Sequence, residues 1–291
     1  MINFNEIETI AYLGPQASFS EMAKDKFCEL NNIKAYPMPM QTIRQVIEYV
    51  DKNSANTLGV LPVENSIEGG VRETMDNLMT AENHNIQIIA EYIMPIRHCL
   101  LSRTTEIYSI TGIISHPQAL AQCQNYIHTE MPYNVNIIEA TSTAEAARSL
   151  QNYNLTYAAI GSKKTAEVYN LNILKENIND DKTNQTRFIL VGNYTTEKTG
   201  NDKTSIAFST ENKPGALLEV LKTFLESNIN LSHISSRPSK INFGDYIFFV
   251  NFDGHIQDEK IKLAIEKIKS QTTFFRFLGS YPKNQTNEIP Q

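Results

Sequence analysis

Residues 9–21 of the chain, TIAYLGPQASFSE, pass from an apolar run to the start of a helix. The apolar run at 9–13 predicts a strand, and Gly14-Pro15 predicts the turn that ends it. Ser18 and Glu21 have the spacing of a capping box, in which two side chains bind the free N–H groups of a helix start. The stretch therefore predicts a strand that leads into a capped helix.

The same pattern recurs three times in the first two thirds of the chain. Apolar runs precede Asn65–Glu68, Ser115–Gln118 and Ser142–Glu145, each with capping-box spacing. Strands that alternate with helices indicate βαβ units, and hence a doubly wound α/β fold with mostly parallel sheets. Because such sheets bind ligands at the carboxyl ends of their strands, we expect a site where these helix starts meet.

The last third of the chain has a different order of elements. Residues 193–202 are polar and lack apolar periodicity, which predicts a linker between a catalytic domain at 8–192 and a second domain at 203–281. The second domain shows the order strand, helix, strand, strand, helix, strand. This βαββαβ order is typical of ferredoxin-like α+β folds.

Composition and charge exclude several classes of protein. The net charge of −6, with both signs interspersed, gives no basic surface for nucleic acid, and no apolar stretch is long enough to span a bilayer. Three distant cysteines without Cys-x-x-Cys spacing predict free thiols in a reducing compartment, so we expect a cytoplasmic protein. The six histidines have no helical metal spacing, and we expect no metal.

The chemistry must then come from hydroxyl and amide side chains at helix starts. The dinucleotide, P-loop and nucleophile-elbow motifs are absent from the sequence, so we expect no nucleotide cofactor. Helix starts carry free N–H groups and a partial positive charge, and several in one cleft would bind a small dicarboxylate. Alternatively, each Ser, Thr or Asn merely caps its own helix.

Five segments resemble the successive motifs of prephenate dehydratases, in the same order. They are YLGPQASFS at 12–20, PVENSIEG at 62–69, SHPQAL at 115–120, STAEAA at 142–147 and TRF at 186–188. The resemblance implies two lobes like those of a periplasmic binding protein, with the substrate between them. It also implies conversion of prephenate to phenylpyruvate, water and carbon dioxide in L-phenylalanine biosynthesis, without a cofactor.

The resemblance makes Thr186 the catalytic residue. A threonine hydroxyl is a poor acid at neutral pH, so we interpret Thr186 as a hydrogen-bond donor to the leaving oxygen. Arg187 would bind a substrate carboxylate with its fork of N–H groups, or else form a salt bridge that holds its strand. Phe188 would contact the substrate as an apolar wall, or else belong to the core.

Other candidates for substrate binding follow the predicted strands. His116 is a candidate general acid, because imidazole exchanges protons near neutral pH, or it only binds backbone at its helix start. Glu64 would repel a dianionic substrate, so it is expected to hold a neighbouring loop instead. The remaining candidates for substrate binding are Asn65, Ser66, Ser115, Gln118, Ser142 and Thr143.

The second domain resembles the ACT family of amino-acid sensors. NKPGAL at 212–217 and SSRP at 235–238 are similar to the two loops that bind phenylalanine between paired ACT domains. The resemblance implies feedback by phenylalanine and a homodimer or homotetramer. The residues implied to bind phenylalanine are Pro214, Gly215, Ala216, Leu217, Ser236, Arg237 and Pro238.

The sequence departs from the family pattern at two places, and two other functions stay open. Ser235 replaces the usual glutamate of the second loop, and Ala17-Ser18 replaces the usual Gly-Thr. One alternative function is arogenate dehydratase, whose substrate carries an amino group in place of the keto group. The other is a non-enzymatic cytosolic sensor of a dicarboxylate and an amino acid.

Overall fold

The computed structural model describes residues 2–80, 85–239 and 245–284. The helices are α1 (Phe19–Asn31), α2 (Ile43–Lys52), α3 (Arg72–Thr80), α4 (Pro117–Ala121), α5 (Gln124–Glu130), α6 (Thr143–Ser149), α7 (Lys163–Tyr169), α8 (Ala216–Glu226) and α9 (Glu259–Ser270). The strands are β1 (Thr9–Leu13), β2 (Tyr36–Met40), β3 (Thr57–Asn65), β4 (Gly69–Gly70), β5 (Gln87–Pro95), β6 (Cys99–Ser102), β7 (Gly112–Ser115), β8 (Asn136–Glu139), β9 (Tyr157–Gly161), β10 (Asn172–Lys175), β11 (Gln185–Gly192), β12 (Asp202–Ser209), β13 (Leu231–Pro238), β14 (Tyr246–Asp253) and β15 (Phe274–Pro282).

The strands before residue 193 form two sheets, one in each of two lobes. The first lobe has the order β2-β1-β3-β11-β5 with β4 beside β3, and the second has the order β10-β6-β9-β7-β8. The chain passes from the first lobe to the second after β5 and returns at β11, so two connections join the lobes. The predicted two-lobed α/β fold is confirmed.

Each sheet is mixed rather than parallel throughout. In the first lobe β1 is parallel to β2 and β3, whereas β11 lies antiparallel between β3 and β5. In the second lobe β9, β7 and β8 are parallel, and β6 is antiparallel to β9. Apart from the two-residue strand β4, which turns back on β3, the strands that run against the others are β11 and β6, each next to a connection between the lobes.

Strands β12–β15 and helices α8 and α9 form the C-terminal unit. Its antiparallel sheet has the order β13-β14-β12-β15, which confirms the predicted βαββαβ arrangement. Apolar residues of α8 and α9 pack on one face of this sheet, including Val220, Phe224, Ile261 and Ile265. No helix or strand occurs in residues 193–201, and the domain boundaries proposed from the sequence stay predictions.

The other face of the C-terminal unit packs on the first lobe. Ala207, Phe249 and Leu278 belong to the same buried cluster as Ile189 and Val191 of β11. The backbones approach so closely that a Cβ atom on Gly279 would lie 2.3 Å from the carbonyl oxygen of Ile88. One apolar core therefore extends across both units.

Two of the four predicted capping boxes begin helices as expected. Ser18 Oγ accepts a hydrogen bond from the N–H of Glu21 (3.2 Å), and Ser142 Oγ accepts one from the N–H of Glu145 (3.0 Å). Ala17, where the family has glycine, has a φ of 65°, in the left-handed region that glycine occupies at little cost. The N–H of Ala17 donates to Glu21 Oε2 at 2.6 Å.

Of the other two predicted helix starts, the one at Asn65 is wrong and the one at Ser115 is displaced by one residue. Asn65 ends β3, and its Oδ1 accepts from the N–H groups of Ile67 and Glu68 at 3.0 and 3.1 Å, which closes a turn and not a helix. Gly69, with φ +81°, then turns the chain back as β4. At the second start the cap is His116, one residue after the predicted Ser115.

Candidate active site

A cavity of about 920 Å³ lies between the two lobes, and we call it the cleft. The first lobe lines it with the end of β1, the start of α1, the end of β2 and residues of β3 and β11. The connection between β5 and β6 contributes His98, and the second lobe contributes residues at the starts of α4 and α6. The carboxyl ends of β1 and β3 and the starts of α1, α4 and α6 therefore border this cavity, as expected for strands followed by helices.

Thr186 and Asn65 form a pair on the floor of the cleft. They lie opposite each other on the antiparallel strands β11 and β3. Asn65 Nδ2 donates to Thr186 Oγ1 at 2.9 Å and to Asn184 Oδ1 at 2.8 Å. Because Thr186 Oγ1 accepts this bond, its single hydrogen is left to donate to another group.

A polar chain continues from this pair into the second lobe. Asn184 Nδ2 donates to Gln122 Oε1 at 2.8 Å, and the same oxygen lies 3.3 Å from His98 Nε2. Since Gln122 Oε1 can only accept, His98 Nε2 is the donor and Nδ1 carries no hydrogen. Burial lowers the pKa of His98 to about 4, although its hydrogen bond with Gln122 acts in the opposite direction. The ring is therefore neutral at pH 7.

Seven of the predicted catalytic and substrate-binding residues line the cleft. His116 caps α4 through Nδ1, which accepts from the N–H of Gln118 at 3.3 Å, so the backbone contact weighed for it is present. Phe188 contacts the cleft and is also buried at 2% exposure in the core of the first lobe. The seven are Asn65, His116, Gln118, Ser142, Thr143, Thr186 and Phe188.

Three predicted substrate-binding residues lie outside the cleft lining, and we do not keep them in the proposed site. Ser66 is exposed and its Oγ accepts from the N–H of Gln185 at 3.0 Å, while the fully buried Ser115 donates to the carbonyl of Ile160 at 2.8 Å. Arg187 follows Thr186 on the same strand, so its side chain points to the opposite face of the sheet.

The geometry around Arg187 corresponds to the salt-bridge alternative. Its Nε lies 3.2 Å from Glu91 Oε2 and its Nη1 lies 3.9 Å from Glu64 Oε2. Glu64 is likewise not among the residues that line the cleft.

Three members of the polar chain were not predicted from the sequence: His98 and Gln122, which line the cleft, and Asn184, which lies behind the lining. Asn184 lies two residues before Thr186, and strand alternation would have placed it on the same face. Gln122 follows Gln118 by four residues, which is one helical turn. His98 lies between β5 and β6, at a connection between the lobes, where no periodic pattern marks its position.

Dipoles and N–H groups supply the positive potential of the cleft, whose lining also includes Glu145, a carboxylate paired with Arg148 at 2.8 Å. None of the lining residues in the described part of the chain is a lysine or an arginine. The start of the thirteen-residue helix α1 meets the cleft at Ser18, Phe19 and Ser20, where its partial positive charge favours an anion. Within residues 2–80, 85–239 and 245–284, no cluster of His, Cys, Asp or Glu is arranged to hold a metal ion.

The two loops that resemble phenylalanine-binding loops lie at the same end of the strands of the C-terminal sheet. β12 and β13 run in the same direction, so the loop after β12 and the last residues of β13 lie at that end. Gly215 has a φ of +83° and caps α8, so Pro214 precedes this helix and is not in its first turn. Ser236, Arg237 and Pro238 line a second cavity, of about 340 Å³, together with Glu68, Gly70 and Arg72 of the first lobe.

No helix in the described ranges has the length and apolar character needed to cross a bilayer. Within the same ranges, Cys28, Cys99 and Cys123 are free thiols.

The sequence and the structure are similar to those of known proteins along nearly the whole chain. A prephenate dehydratase from Methanocaldococcus jannaschii is 42% identical over 94% of this chain and 98% of its own length. A bifunctional chorismate mutase/prephenate dehydratase from Aquifex aeolicus is 40% identical over 94% of this chain and 73% of its own length. The crystal structure of a prephenate dehydratase from Arthrobacter aurescens in complex with L-Phe has a TM-score of 0.86 and 34% identity, covering 97% of this chain and 92% of its own.

The family models agree with these matches. The prephenate dehydratase model matches residues 10–196, and the ACT domain model matches residues 204–270. The chain therefore belongs to the prephenate dehydratase family.

Proposed function

We propose that this chain converts prephenate to phenylpyruvate, water and carbon dioxide in the biosynthesis of L-phenylalanine. The observation that carries the proposal is the placement of Thr186, whose hydroxyl faces a cleft between two lobes with its hydrogen free to donate. The family supports the same reaction, because relatives that match along nearly the whole chain are named for it. The enzyme class is a decarboxylating hydro-lyase.

The reaction rearranges electrons within one molecule. The bond between the ring and its carboxylate breaks, its electron pair enters the ring, and the ring hydroxyl leaves with its bonding electrons. That oxygen must gain a proton to depart as water, and the ring becomes aromatic. We assign Thr186 the role of donating a hydrogen bond to the departing oxygen, where negative charge develops.

Asn65 orients Thr186 for this task. Its amide group is held on both sides, since Oδ1 accepts two backbone N–H groups and the two hydrogens of Nδ2 are shared among Thr186 Oγ1, Asn184 Oδ1 and the carbonyl oxygen of Gln185. An amide fixed in this way holds the threonine oxygen in place without reorganisation during the reaction.

The two carboxylates of prephenate require partners in a cleft without lining lysines or arginines. We propose that the start of α1 binds one carboxylate through its N–H groups and Ser20, and that Ser142 and Thr143 contact the substrate from the second lobe. The side chain of Phe188 provides an apolar surface. A charged carboxylate is destabilised next to such a surface, whereas neutral carbon dioxide is not, so the surface favours decarboxylation.

The direct test is to remove the Thr186 hydroxyl while keeping its shape. Thr186→Val should lower kcat by about a hundredfold or more, because one preorganised donor to a developing oxyanion contributes about that much. Thr186→Ser, which keeps the hydroxyl, should retain much of the activity. Formation of phenylpyruvate, followed by its absorbance in alkali, measures both variants. A Thr186→Val enzyme with full turnover would exclude the assigned role.

The same assay separates the other two functions. A sensor would bind prephenate tightly without forming phenylpyruvate. An arogenate dehydratase would show the higher kcat/KM with arogenate, because a buried polar group that loses its partner discriminates strongly between substrates. We expect the higher kcat/KM with prephenate.

We further propose that phenylalanine binds at the two loops of the C-terminal unit and inhibits the enzyme. The relative from Arthrobacter aurescens was crystallised with L-Phe, which supports an amino-acid site in this chain. A site between paired ACT domains requires at least a dimer, and β13 is an edge strand available for pairing. Sedimentation of the purified chain and titration of its activity with phenylalanine test both points; a monomer, or unchanged activity, would reject them.

The three free thiols are consistent with a reducing compartment, and we propose a cytoplasmic location.

A further inference from the structure

The strand pair β3–β11 carries polar residues on both of its faces. Thr186 and Asn65 lie opposite each other and face the cleft. Their neighbours Arg187 and Glu64 are also paired in register, and strand alternation places their side chains on the other face. That other face is the one on which the C-terminal unit packs. Residues adjacent to the catalytic pair therefore point towards the C-terminal unit.

On that face five side chains form what we call the ion cluster: Glu64, Glu91, Arg187, Lys203 and His233. Lys203 Nζ contacts both carboxylate oxygens of Glu91, at 2.6 and 2.9 Å. Arg187 Nε lies 3.2 Å from the same carboxylate, and Glu64 lies 3.9 Å from both Arg187 Nη1 and His233 Nδ1. Lys203 and His233 belong to the C-terminal unit and the other three belong to the first lobe.

The centre of the ion cluster is deeply buried. The side chain of Glu91 is 1% exposed, that of Arg187 is 9% exposed and that of Lys203 is 15% exposed. Removing one member of a buried pair leaves an uncompensated charge in a medium of low polarity, which is costly. The position of Arg187 is therefore coupled to the presence of Lys203 through the carboxylate that they share.

Ion pairs hold the guanidinium of Arg187, and its hydrogen-bond donors are only partly satisfied. Its Nε and Nη2 are buried and have no hydrogen-bond partner within the described residues, although both Glu91 and Glu64 lie within 4 Å. A guanidinium held in this way shifts when either carboxylate shifts. Because Arg187 and Thr186 are neighbours on β11, and Glu64 and Asn65 are neighbours on β3, a displacement of either charged residue would be transmitted to the backbone of the residue beside it.

We infer that the ion cluster is a positioning device through which the C-terminal unit sets the geometry of the Thr186–Asn65 pair. Lys203 holds Glu91, Glu91 holds Arg187, and Arg187 and Glu64 hold the two strand ends that carry the catalytic pair. Lys203, Glu91, Arg187 and Glu64 are positioning residues, because none of them lines the cleft. The inference rests on the proposed function, and it names a route by which the C-terminal unit affects catalysis.

The test replaces Lys203, the buried cation that the described part of the C-terminal unit contributes to Glu91. Lys203→Met should lower kcat about tenfold or more with KM changed by less than about threefold, because small misplacements of reacting groups cost rate. Lys203→Arg, which keeps the charge, should restore most of kcat. Lys267→Met is the matched control, because Lys267 pairs with Glu226 at 2.6 Å on the exposed surface of the same unit. It should leave kcat unchanged.

Amide hydrogen exchange provides a readout that does not depend on turnover. In Lys203→Met, residues 64–68 and 184–188 should exchange faster than in the wild type, and in Lys267→Met they should not. Glu91→Gln keeps the shape of the side chain and removes its charge. It should also lower kcat and speed exchange at these residues, and it replaces Lys203→Met in the test if that variant does not fold. Wild-type kcat in either variant, or unchanged exchange at these residues, overturns the inference. A wild-type chain without prephenate turnover rejects the proposed function, while the exchange measurement still tests the ion cluster.

Discussion

Burial beside the cleft opposes the protonation of His98. Its pKa is lowered by burial from 6.5 to about 4, so the unfolded chain takes up a proton first as the pH falls. The contribution of neutral His98 to stability is complete above about pH 6.5 and is lost progressively towards pH 4. At pH 5 the loss should be about 2 kcal/mol. Urea denaturation at pH 7 and pH 5 should show it in the wild type.

Two variants isolate this effect from the other titrating groups. His98→Gln should lose about 2 kcal/mol less than the wild type between pH 7 and pH 5, because it has no imidazole to protonate. His128→Gln, at an exposed position of α5, should keep the wild-type pH dependence. If His98→Gln and the wild type lose stability in parallel, the imidazole is not the group responsible.

At the scale of elements, the sequence predicts structure where a local contact determines it. Ser18 and Ser142 cap helices because their partners lie three residues away. Asn65 has the same spacing, but pairing between β3 and β4 across Gly69 overrides it. The edge strand β2 was not predicted, since Pro37 and Pro39 break the usual strand pattern and are tolerated only where the missing N–H groups face away from the sheet.

The start of α6 combines a cap with a contact to the cleft, and a matched pair of variants separates the two. Ser142→Ala should lower stability by about 1 kcal/mol through loss of the bond to the N–H of Glu145. Thr42→Ala should cost a similar amount, because Thr42 caps α2 through a 3.1 Å bond to the N–H of Gln45. Only Ser142→Ala should raise KM for prephenate, by about threefold or more, since a lost hydrogen bond costs about 1 kcal/mol.

Urea denaturation and steady-state kinetics on the same preparations measure both quantities. An unchanged KM in Ser142→Ala would leave this serine with a capping role alone.

At the scale of the whole molecule, the sequence predicts two units but not how they meet. Strand alternation places Thr186 and Arg187 on opposite faces, yet only the packed sheet shows which face meets the cleft and which meets the C-terminal unit. From the sequence alone, Arg187 therefore has two alternative roles, one in substrate binding and one in a salt bridge. The contact with Lys203 through Glu91 joins residues 112 positions apart in the chain, and no local pattern predicts it.

The close approach of the two units at Gly279 can be tested by adding one methyl group. A Cβ at Gly279 would lie 2.3 Å from the carbonyl oxygen of Ile88, and the residue has a φ of +134° that L side chains rarely adopt. Gly279→Ala should therefore lower the free energy of unfolding by about 3 kcal/mol or more, from backbone strain and from overpacking.

Gly200→Ala separates the two causes. Gly200 also has a positive φ, +89°, but its Cβ would meet no atom within 4 Å, so this variant carries the backbone strain alone and should cost about 1–2 kcal/mol. The clash in Gly279→Ala also forces β15 away from β5, the strand that carries Glu91 of the ion cluster. That variant should therefore lose kcat as well as stability, whereas Gly200→Ala should lose stability only. Urea denaturation measures both losses of stability. Equal losses in the two variants would mean that the contact between Gly279 and Ile88 accommodates a methyl group. That contact would then not determine how the C-terminal unit packs on the first lobe.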